Sequence, residues 1–530
     1  MLNLKSEKVK TIIVILIFFA VWAWDVGFAY KYGETALDAD MASEMVLANK
    51  SNQDGVYLDT DWYYSTEIRI LGHIMLFKPL LLLFPNNWGL ARVVAQAIFL
   101  LATGLSYIYM TGILGNIRKS IFFATILLCP FGYWHLYHDC FDGLYLIFII
   151  CYSLLAGLIF RLAFDACGGA RRYLRWGLMI LISFVCGLHS IRVYLNLLLP
   201  LLFAMAIMSY SKFRENDGSI KIKYLKPLLI TAVSCIGSAI GYLINHFVLS
   251  GIYTYTNQDA RQWQEFSISK LIETFGYFIQ LFGYPYNYGN TMEIPLFSKS
   301  GLLCCFGILL IFIFIGSFTI CVKEYKTLEE EQKAIFLTAI MTVSVCLLVF
   351  TLFMPSIDGS FGSYFLPSMG LYVAALQIAT DLYSYAIKKY GEILALAIIF
   401  LTASLSGICN QRLFVKYPSR SHAEMVNVVE ALEEQGYTQA VSNFWSGNTI
   451  TELSDGSIEV WVTYGNNLDN VYEWLQSKSH LTTRPRDKYA YVYEADTYYK
   501  DESLQALWSN NDNAYVVYQD DAYVVIGVEE

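Results

Sequence analysis

Three carboxylates lie beside the ends of long apolar runs, where an ionisable side chain is costly and is commonly functional. They are Asp38, Asp40 and Asp139, and Arg192 follows another apolar run. A carboxylate can act as a general base toward a hydroxyl group, and an arginine can hold a phosphate through two parallel hydrogen bonds. These residue types therefore predict a site that deprotonates a hydroxyl and binds an anion.

Further polar side chains in the same predicted loops extend the candidate site. The candidates for substrate binding are Glu67, Arg69, His138, Asp142 and His189. Each candidate also has a structural alternative. Asp38 and Asp40 can end a helix, because acids one residue apart are common in loops. His138 and Asp139 can cap the following helix, Arg192 can extend to lipid headgroups, and Glu67 and Arg69 suit an exposed ion pair.

The elements that must position these side chains are membrane-spanning helices. Only 15% of the residues are charged and 56% are hydrophobic, which excludes an ordinary soluble enzyme, where about a quarter are charged. A span needs about 20 mostly apolar residues. Eleven runs are predicted to span, at 11–30, 88–111, 119–134, 143–164, 176–190, 194–210, 227–250, 301–322, 334–354, 366–386 and 391–409. No cleavage site is evident after the first run, so we expect a retained helix there, and the shorter run at 70–84 predicts a helix in the membrane interface.

The basic residues predict the orientation of these spans. Short loops rich in Lys and Arg stay in the cytoplasm, and a cytoplasmic N-terminus places most such residues on that side. An odd number of spans then places residues 411–530 outside the cytoplasm. The formal charge of −9 comes from this tail, because residues 410–530 hold 19 Asp and Glu against 8 Lys and Arg. Nucleic-acid binding has no support, since the one soluble segment is acidic.

The predicted organisation is a transmembrane domain at 1–410, with a long outward first loop at 31–87, and a small extracytoplasmic α/β domain at 411–530. In the tail we expect helices at 421–435, 445–453, 469–476 and 501–507, and strands at 438–443, 457–463, 489–494, 514–518 and 522–527. The tail sequence carries no nucleophile motif or metal-ligand spacing, and we assign it to acceptor recognition or assembly. The eleven cysteines precede it in or beside apolar runs, where a free cysteine behaves as a small hydrophobic residue, and we expect none of them to form a disulfide or to bind a metal.

The order of these features resembles the GT-C superfamily of integral-membrane glycosyltransferases, which includes the protein O-mannosyltransferases and the aminoarabinose transferase of lipid A. The features that carry the resemblance are an Asp-x-Asp-like element opening a long loop after the first helix (Asp38 and Asp40), an acidic second loop (His138, Asp139 and Asp142), an outward arginine (Arg192) and a late Tyr364-Phe365-Leu366-Pro367 element. The late element is similar to an Arg-Tyr-x-x-Pro pattern, but Ser363 stands in place of the arginine.

The resemblance implies a mainly α, polytopic membrane protein that uses a first-loop aspartate as base, either Asp40 or Asp38, with Asp139 as a second acid. It implies a polyprenyl-phosphate sugar donor and transfer with inversion to an extracytoplasmic acceptor, which is a cell-envelope glycan, a lipid or a protein. The arginine contact to the donor phosphate is absent here or comes from Arg192 or Arg261, and Tyr364 becomes a binding candidate. Some members bind a divalent cation, so Asp40 and Asp139 are candidate ligands of Mg²⁺ or Mn²⁺.

Two other functions stay open. A lipid-linked glycan transporter or flippase typically has ionisable or broken helices near the midplane and often two related halves. Here the midspan segments are mostly Leu, Ile and Phe, and no internal repeat is evident. A non-catalytic assembly partner would bind a lipid-linked glycan through the same residues, and sequence does not separate it from an enzyme. A membrane glycosyltransferase is the leading interpretation.

Overall fold

The computed structural model describes residues 7–66, 68–165, 168–215, 222–255, 262–283, 294–354, 359–386, 389–416 and 423–530. The chain divides into two compact units. The helical unit comprises Met1–Asp25, Ala97–His246 and Ala260–Ser419, and the sheet unit comprises Val26–Gln96, Phe247–Asp259 and Arg420–Glu530. Most of the predicted first loop is therefore grouped with the tail, and the predicted domain boundary at residue 410 stays a prediction.

Helices dominate the described residues. Those before residue 417 are α1 (Glu7–Ala36), α2 (Ala39–Gln53), α3 (Ile74–Leu83), α4 (Trp88–Thr111), α5 (Ile117–Leu128), α6 (Tyr133–Tyr137), α7 (Leu146–Phe164), α8 (Ala170–His189), α9 (Leu199–Glu215), α10 (Ile222–Phe247), α11 (Ile268–Gln280), α12 (Lys299–Lys323), α13 (Glu330–Phe353), α14 (Met369–Ala386) and α15 (Lys389–Lys416). The later ones are α16 (Ala423–Glu434), α17 (Phe444–Leu453), α18 (Ala495–Lys500) and α19 (Glu502–Ser509). The strands are β1 (Tyr63–Tyr64), β2 (Thr254–Tyr255), β3 (Gln439–Ser442), β4 (Glu459–Val462), β5 (Lys488–Glu494), β6 (Ala514–Gln519) and β7 (Tyr523–Glu529).

The protein is a multi-pass membrane protein. Within the described residues, nine helices are long and apolar enough to cross a membrane, or ten if one bent pair forms a single span. The predicted span at 176–190 is not among these candidates. It corresponds to α8, which is 20 residues long but carries Arg171, Arg172 and Arg175 in its first two turns, so its composition is less apolar. The short run predicted to lie in the interface forms α3, a helix of 10 residues.

The predicted span at 119–134 is not one straight helix. The helix α5 ends at Leu128, and the segment Tyr133–Asp142 is bent away from it by 94°. Pro130 lies at the break, where it cannot continue the backbone hydrogen bonding of a helix. At Gly132, an added Cβ would meet the carbonyl oxygen of Leu281 at 2.4 Å, so only glycine permits this approach. The bend turns the acidic second loop inward.

Two segments form the interior of the helical unit. The helix α7 is apolar around its whole circumference, and 83% of it is buried, while the span Gly362–Tyr383 is 89% buried. A helix that is hydrophobic on all sides is expected in such a position. By contrast, α12 and α15 expose large apolar side chains such as Phe312 and Leu401, as expected of surfaces that face lipid.

The sheet unit contains a five-stranded sheet in the order β4-β3-β5-β7-β6. The strand β3 is parallel to β4 and β5, whereas β7 is antiparallel to β5 and β6. The predicted α/β tail is therefore confirmed. Earlier in the chain, β1 pairs in parallel with β2.

The helix predicted at 469–476 is wrong. In that segment the Tyr472 N–H bonds to the Val462 carbonyl, and the Leu475 N–H bonds to the Tyr63 carbonyl. The backbone N–H groups of this segment thus bond to residues outside it, and local helix propensity does not reveal such pairing. The helix α18 is an additional element that the sequence pattern did not indicate.

Candidate functional site

Two π-helical turns in the helical unit, His138–Asp142 and Tyr194–Leu198, lie near the predicted site residues. Such turns are rare and occur frequently at functional sites. The first ends at Gly143, which has a φ of 60° and donates its N–H to the His138 carbonyl at 2.8 Å. Across this turn, His138 Nδ1 and Asp142 Oδ2 lie 2.5 Å apart, and both side chains are buried. The turn thus holds a buried histidine–carboxylate pair.

Arg192 lies between α8 and the second π-helical turn and is half-buried. Its Nη1 donates a hydrogen bond of 2.9 Å to the Tyr145 hydroxyl. The Arg192 Cζ atom lies 4.9 Å from the centre of the Tyr364 ring and 6.0 Å from that of Phe148. Aromatic faces beside a guanidinium favour its charge and fix its plane.

These contacts join into one group, here called the arginine cluster: Arg192, Tyr145, Tyr364, His138 and Asp142. The Tyr145 ring makes the link, because its centre lies 4.3 Å from that of His138 while its hydroxyl bonds Arg192. His189 borders the cluster through Phe148, at 5.0 Å between ring centres. Five of the predicted site residues are therefore brought together: His138, Asp142, His189, Arg192 and Tyr364.

Tyr364 is held by polar contacts within the helical unit. Its carbonyl accepts a hydrogen bond of 2.8 Å from Asn196 Nδ2, and the Asn196 carbonyl accepts one of 2.6 Å from the Ser368 hydroxyl. Ser363 occupies the position where the related pattern has an arginine. Because the Arg192 guanidinium lies against the Tyr364 ring, a cation is nevertheless present beside the late element.

A second polar group in the helical unit surrounds Asp139. Its Oδ2 lies 2.9 Å from His135 Nε2, and both side chains are almost fully buried. Asp25, near the middle of α1, is also fully buried, and its Oδ1 accepts a hydrogen bond of 3.3 Å from Gln411 Nε2. Asp139 is thus part of a buried histidine–carboxylate pair rather than an exposed loop acid.

In the sheet unit, Asp38 and Asp40 lie at the N-terminus of α2. Asp38 is the N-cap, and its Oδ1 accepts a hydrogen bond of 3.0 Å from the Met41 N–H. Asp38 therefore begins a helix, whereas the structural alternative drawn from the sequence was that it ends one. Asp40 lies in the first turn and is exposed, so a substrate can approach it from solvent. Arg69, the other predicted residue here, is half-buried.

The acids that follow α2 form a local ion-pair network. Lys50 Nζ lies 3.0 Å from Asp61 Oδ2 and 3.5 Å from Asp59 Oδ2, and Asp61 Oδ2 also accepts a hydrogen bond of 2.7 Å from Ser477. Partial burial opposes ionisation of Asp61, but the bonds from Ser477 and Lys50 outweigh it and lower its pKa. Burial raises the pKa of Asp59, and the neighbouring Asp54 adds to this effect. The network has a structural role.

Two predicted residues, Glu67 and Arg261, lie outside the described residues. The prediction that Asp40 and Asp139 bind a divalent cation has no support from the grouping of side chains. In the described part of the chain, no three His, Cys, Asp or Glu side chains are grouped so that they could hold a metal ion. Asp40 and Asp139 are therefore not members of any such group, and we derive no step through Mg²⁺ or Mn²⁺.

Sequence reasoning missed Asp25 and Tyr145. Asp25 had a clear signal, because it is a lone acid within the first apolar run, and intramembrane carboxylates are functional candidates by default. Tyr145 had none, because the sequence has 40 tyrosines and only the tertiary contacts with His138 and Arg192 distinguish this one.

Comparisons with known proteins locate this architecture among solved structures. No protein-family model matches the sequence, and no curated protein sequence matches it. The structure of ArnT from Cupriavidus metallidurans bound to undecaprenyl phosphate is similar over 98% of both chains, with a TM-score of 0.59 at 11% sequence identity. The oligosaccharyltransferase AglB from Archaeoglobus fulgidus matches 89% of this chain and 69% of its own, with a TM-score of 0.45 at 11% identity. From the likeness to ArnT across nearly the whole chain, we conclude that this protein has the GT-C fold that its sequence resembles.

Proposed function

We propose that this protein is a membrane glycosyltransferase that moves a sugar from a polyprenyl-phosphate-linked donor to an extracytoplasmic acceptor, with inversion at the anomeric carbon. The observation that carries the proposal is the likeness to ArnT over 98% of both chains, because that protein binds undecaprenyl phosphate. The arginine cluster supports the proposal independently, since it supplies a fixed cation beside aromatic rings within a membrane unit.

The proposed chemistry needs few protein groups. The acceptor hydroxyl attacks the anomeric carbon, its proton passes to a carboxylate, and the bond from that carbon to the phosphate oxygen breaks. Polyprenyl phosphate leaves with the bonding electrons. In this reaction Arg192 binds the phosphate, because a guanidinium fork fits two phosphate oxygens and stabilises the charge that develops there. Tyr145 and Tyr364 keep the guanidinium in place.

The candidates for the base are Asp40, Asp38 and Asp139, and their surroundings rank them. A general base must lie within hydrogen-bond reach of the acceptor hydroxyl. Asp40 is exposed, so an acceptor hydroxyl can approach its carboxylate from solvent. Asp38 already accepts the Met41 N–H, and Asp139 is buried against His135. We therefore propose Asp40 as the general base and rank Asp38 and Asp139 as weaker candidates.

The test is sugar transfer by the purified full-length protein, using a series of polyprenyl-phosphate sugars and envelope extracts as acceptors. We expect Asp40→Asn to lower kcat by about 100-fold or more, since general base catalysis contributes on that order. Asp54→Asn is the matched control, because Asp54 caps the other end of α2. Full transfer by the Asn variants of Asp38, Asp40 and Asp139 would falsify the proposal.

The proposed orientation has a cytoplasmic N-terminus and an extracytoplasmic tail. A reporter enzyme that is active only outside the cytoplasm, fused after Glu530, should be active, and an inactive fusion would contradict this orientation. Chelation by EDTA followed by addition of Mg²⁺ or Mn²⁺ to the transfer assay tests the cation prediction.

A further inference from the structure

Ala39 lies between the two first-loop acids and is fully buried. It packs in one apolar cluster with Phe444 and Val462, which belong to α17 and β4 of the tail. Tyr472, Trp474 and Leu475 border the same cluster. The residue that joins Asp38 to Asp40 is thus part of the tail's apolar packing, within the sheet unit.

Arg92 contacts the backbone on the C-terminal side of Asp40. Its Nη2 donates a hydrogen bond of 2.9 Å to the carbonyl of Met41, the residue that follows Asp40. The same guanidinium makes a bidentate ion pair with Glu452 of α17, with Nε–Oε1 and Nη2–Oε2 distances of 2.6 Å. Both side chains are buried, at 7% exposure for Arg92 and 3% for Glu452. Removing one partner would leave a buried charge uncompensated, which is strongly unfavourable.

The turn that follows α17 also contacts the helix that carries Arg92. Asp455 Oδ1 accepts a hydrogen bond of 2.7 Å from the Trp88 N–H, at the start of α4. At Gly456, which has a φ of 80°, an added Cβ would meet the Trp88 ring at 2.7 Å. The tail therefore contacts α2 at Ala39 and contacts α4 at Trp88 and Arg92, through α17, the turn that follows it and β4.

We propose that the tail is a positioning element for the candidate base: α17 sets the backbone from Asp38 to Met41 through Ala39 packing and through Glu452, which orients Arg92. The tail then contributes to turnover, beyond the acceptor recognition or assembly predicted from its sequence. This inference rests on the proposed function. Arg92 and Glu452 are positioning residues, because they act on Asp40 through the peptide that carries it.

The test compares Glu452→Gln with Glu502→Gln in the full-length protein. Glu502 is the matched control, since it is an exposed tail glutamate in the first turn of α19. We expect Glu452→Gln to lower kcat about 10- to 100-fold, because small displacements of a catalytic group cost this much, while KM for the donor changes less than about threefold. Glu452→Asp, which keeps the charge, should recover part of kcat.

A second measurement does not depend on catalysis. Amide hydrogen exchange in residues 37–45 of full-length Glu452→Gln should accelerate about tenfold or more over the wild type, and Glu502→Gln should leave it unchanged. Phe444→Leu, which shortens the side chain packed against Ala39, should act in the same direction and serves if Glu452→Gln does not fold.

If amide exchange in residues 37–45 is unchanged in both Glu452→Gln and Phe444→Leu, the inference is overturned. It is also overturned if exchange there is faster but kcat stays at the wild-type value. If the wild type transfers no sugar from any polyprenyl-phosphate donor, the proposed function fails instead. In that case the exchange experiment still decides whether the tail holds the segment around Asp40.

Discussion

Close packing of α8 against α10 leads to a prediction about Gly187. A Cβ added at Gly187 would lie 1.9 Å from the carbonyl oxygen of Ser238, whereas real Cβ contacts are essentially never shorter than 3.0 Å. That carbonyl belongs to the backbone of α10, so rotation of a side chain cannot relieve the clash. In Gly187→Ala the two helices must separate by roughly 1 Å, which is an overpacking change. Small residues at such contacts are typical of helices that associate in membranes.

The magnitude follows from a comparison within α8. Gly177 lies in the same helix, and a Cβ added there meets nothing within 4 Å. Both Gly→Ala changes gain about the same helix propensity, so their difference isolates the packing cost. We expect Gly187→Ala to be less stable than Gly177→Ala by about 1–3 kcal/mol. Separation of α8 should also displace His189, at its C-terminus, and lower kcat.

The assay is thermal unfolding of the full-length protein in detergent, followed by a maleimide dye that fluoresces on reaction with newly exposed thiols. Cys186 is buried beside Gly187 and is one of the thiols that unfolding exposes to the dye. A Cβ added at Gly241 would lie 2.1 Å from the carbonyl oxygen of Phe184, across the same contact between α8 and α10. The double variant of Gly187→Ala and Gly241→Ala should therefore lose less stability than the sum of the losses in the two single variants. Equal melting temperatures for Gly187→Ala and Gly177→Ala would refute the reasoning.

Two further predictions concern charge. Arg192→Lys keeps the positive charge but loses the planar fork, so KM for the lipid donor should rise about tenfold with little loss of stability, and an unchanged KM would argue against phosphate binding by Arg192. The lowered pKa of Asp61 means that the unfolded chain binds the proton more tightly, so the Asp61 contribution to stability is fully present above the ordinary aspartate value of about 3.9 and is lost as the pH falls from there through the lowered pKa of the folded protein. Its side chain is 36% exposed, so Asp61→Asn should destabilise by less than about 1 kcal/mol at pH 7, and the difference between the melting temperatures of the two proteins should shrink as the pH falls below about 3.9. A difference that persists at low pH would contradict the contacts with Lys50 and Ser477.

The helices could be predicted largely because each apolar run must be long enough to cross a membrane. The same length rule cannot show where a run bends, and at Gly132 the bend depends on the approach of the Leu281 backbone. The tail strands were predicted from alternating side chains, but the segment 469–476 follows its pairing with residues 63 and 462 rather than its local pattern.

For the candidate site too, the sequence predicted residue identities but not their contacts. Residue type and position next to the ends of apolar runs identified His138, Asp142, His189 and Arg192, because charged and polar groups are costly near lipid wherever the fold places them. Composition and patterning therefore predicted most of the membrane spans, the α/β tail and many of the candidate site residues. The tertiary structure alone decided their partners: Tyr145 joins His138 to Arg192, and Glu452 pairs with Arg92, because these contacts connect residues up to 360 positions apart in the chain.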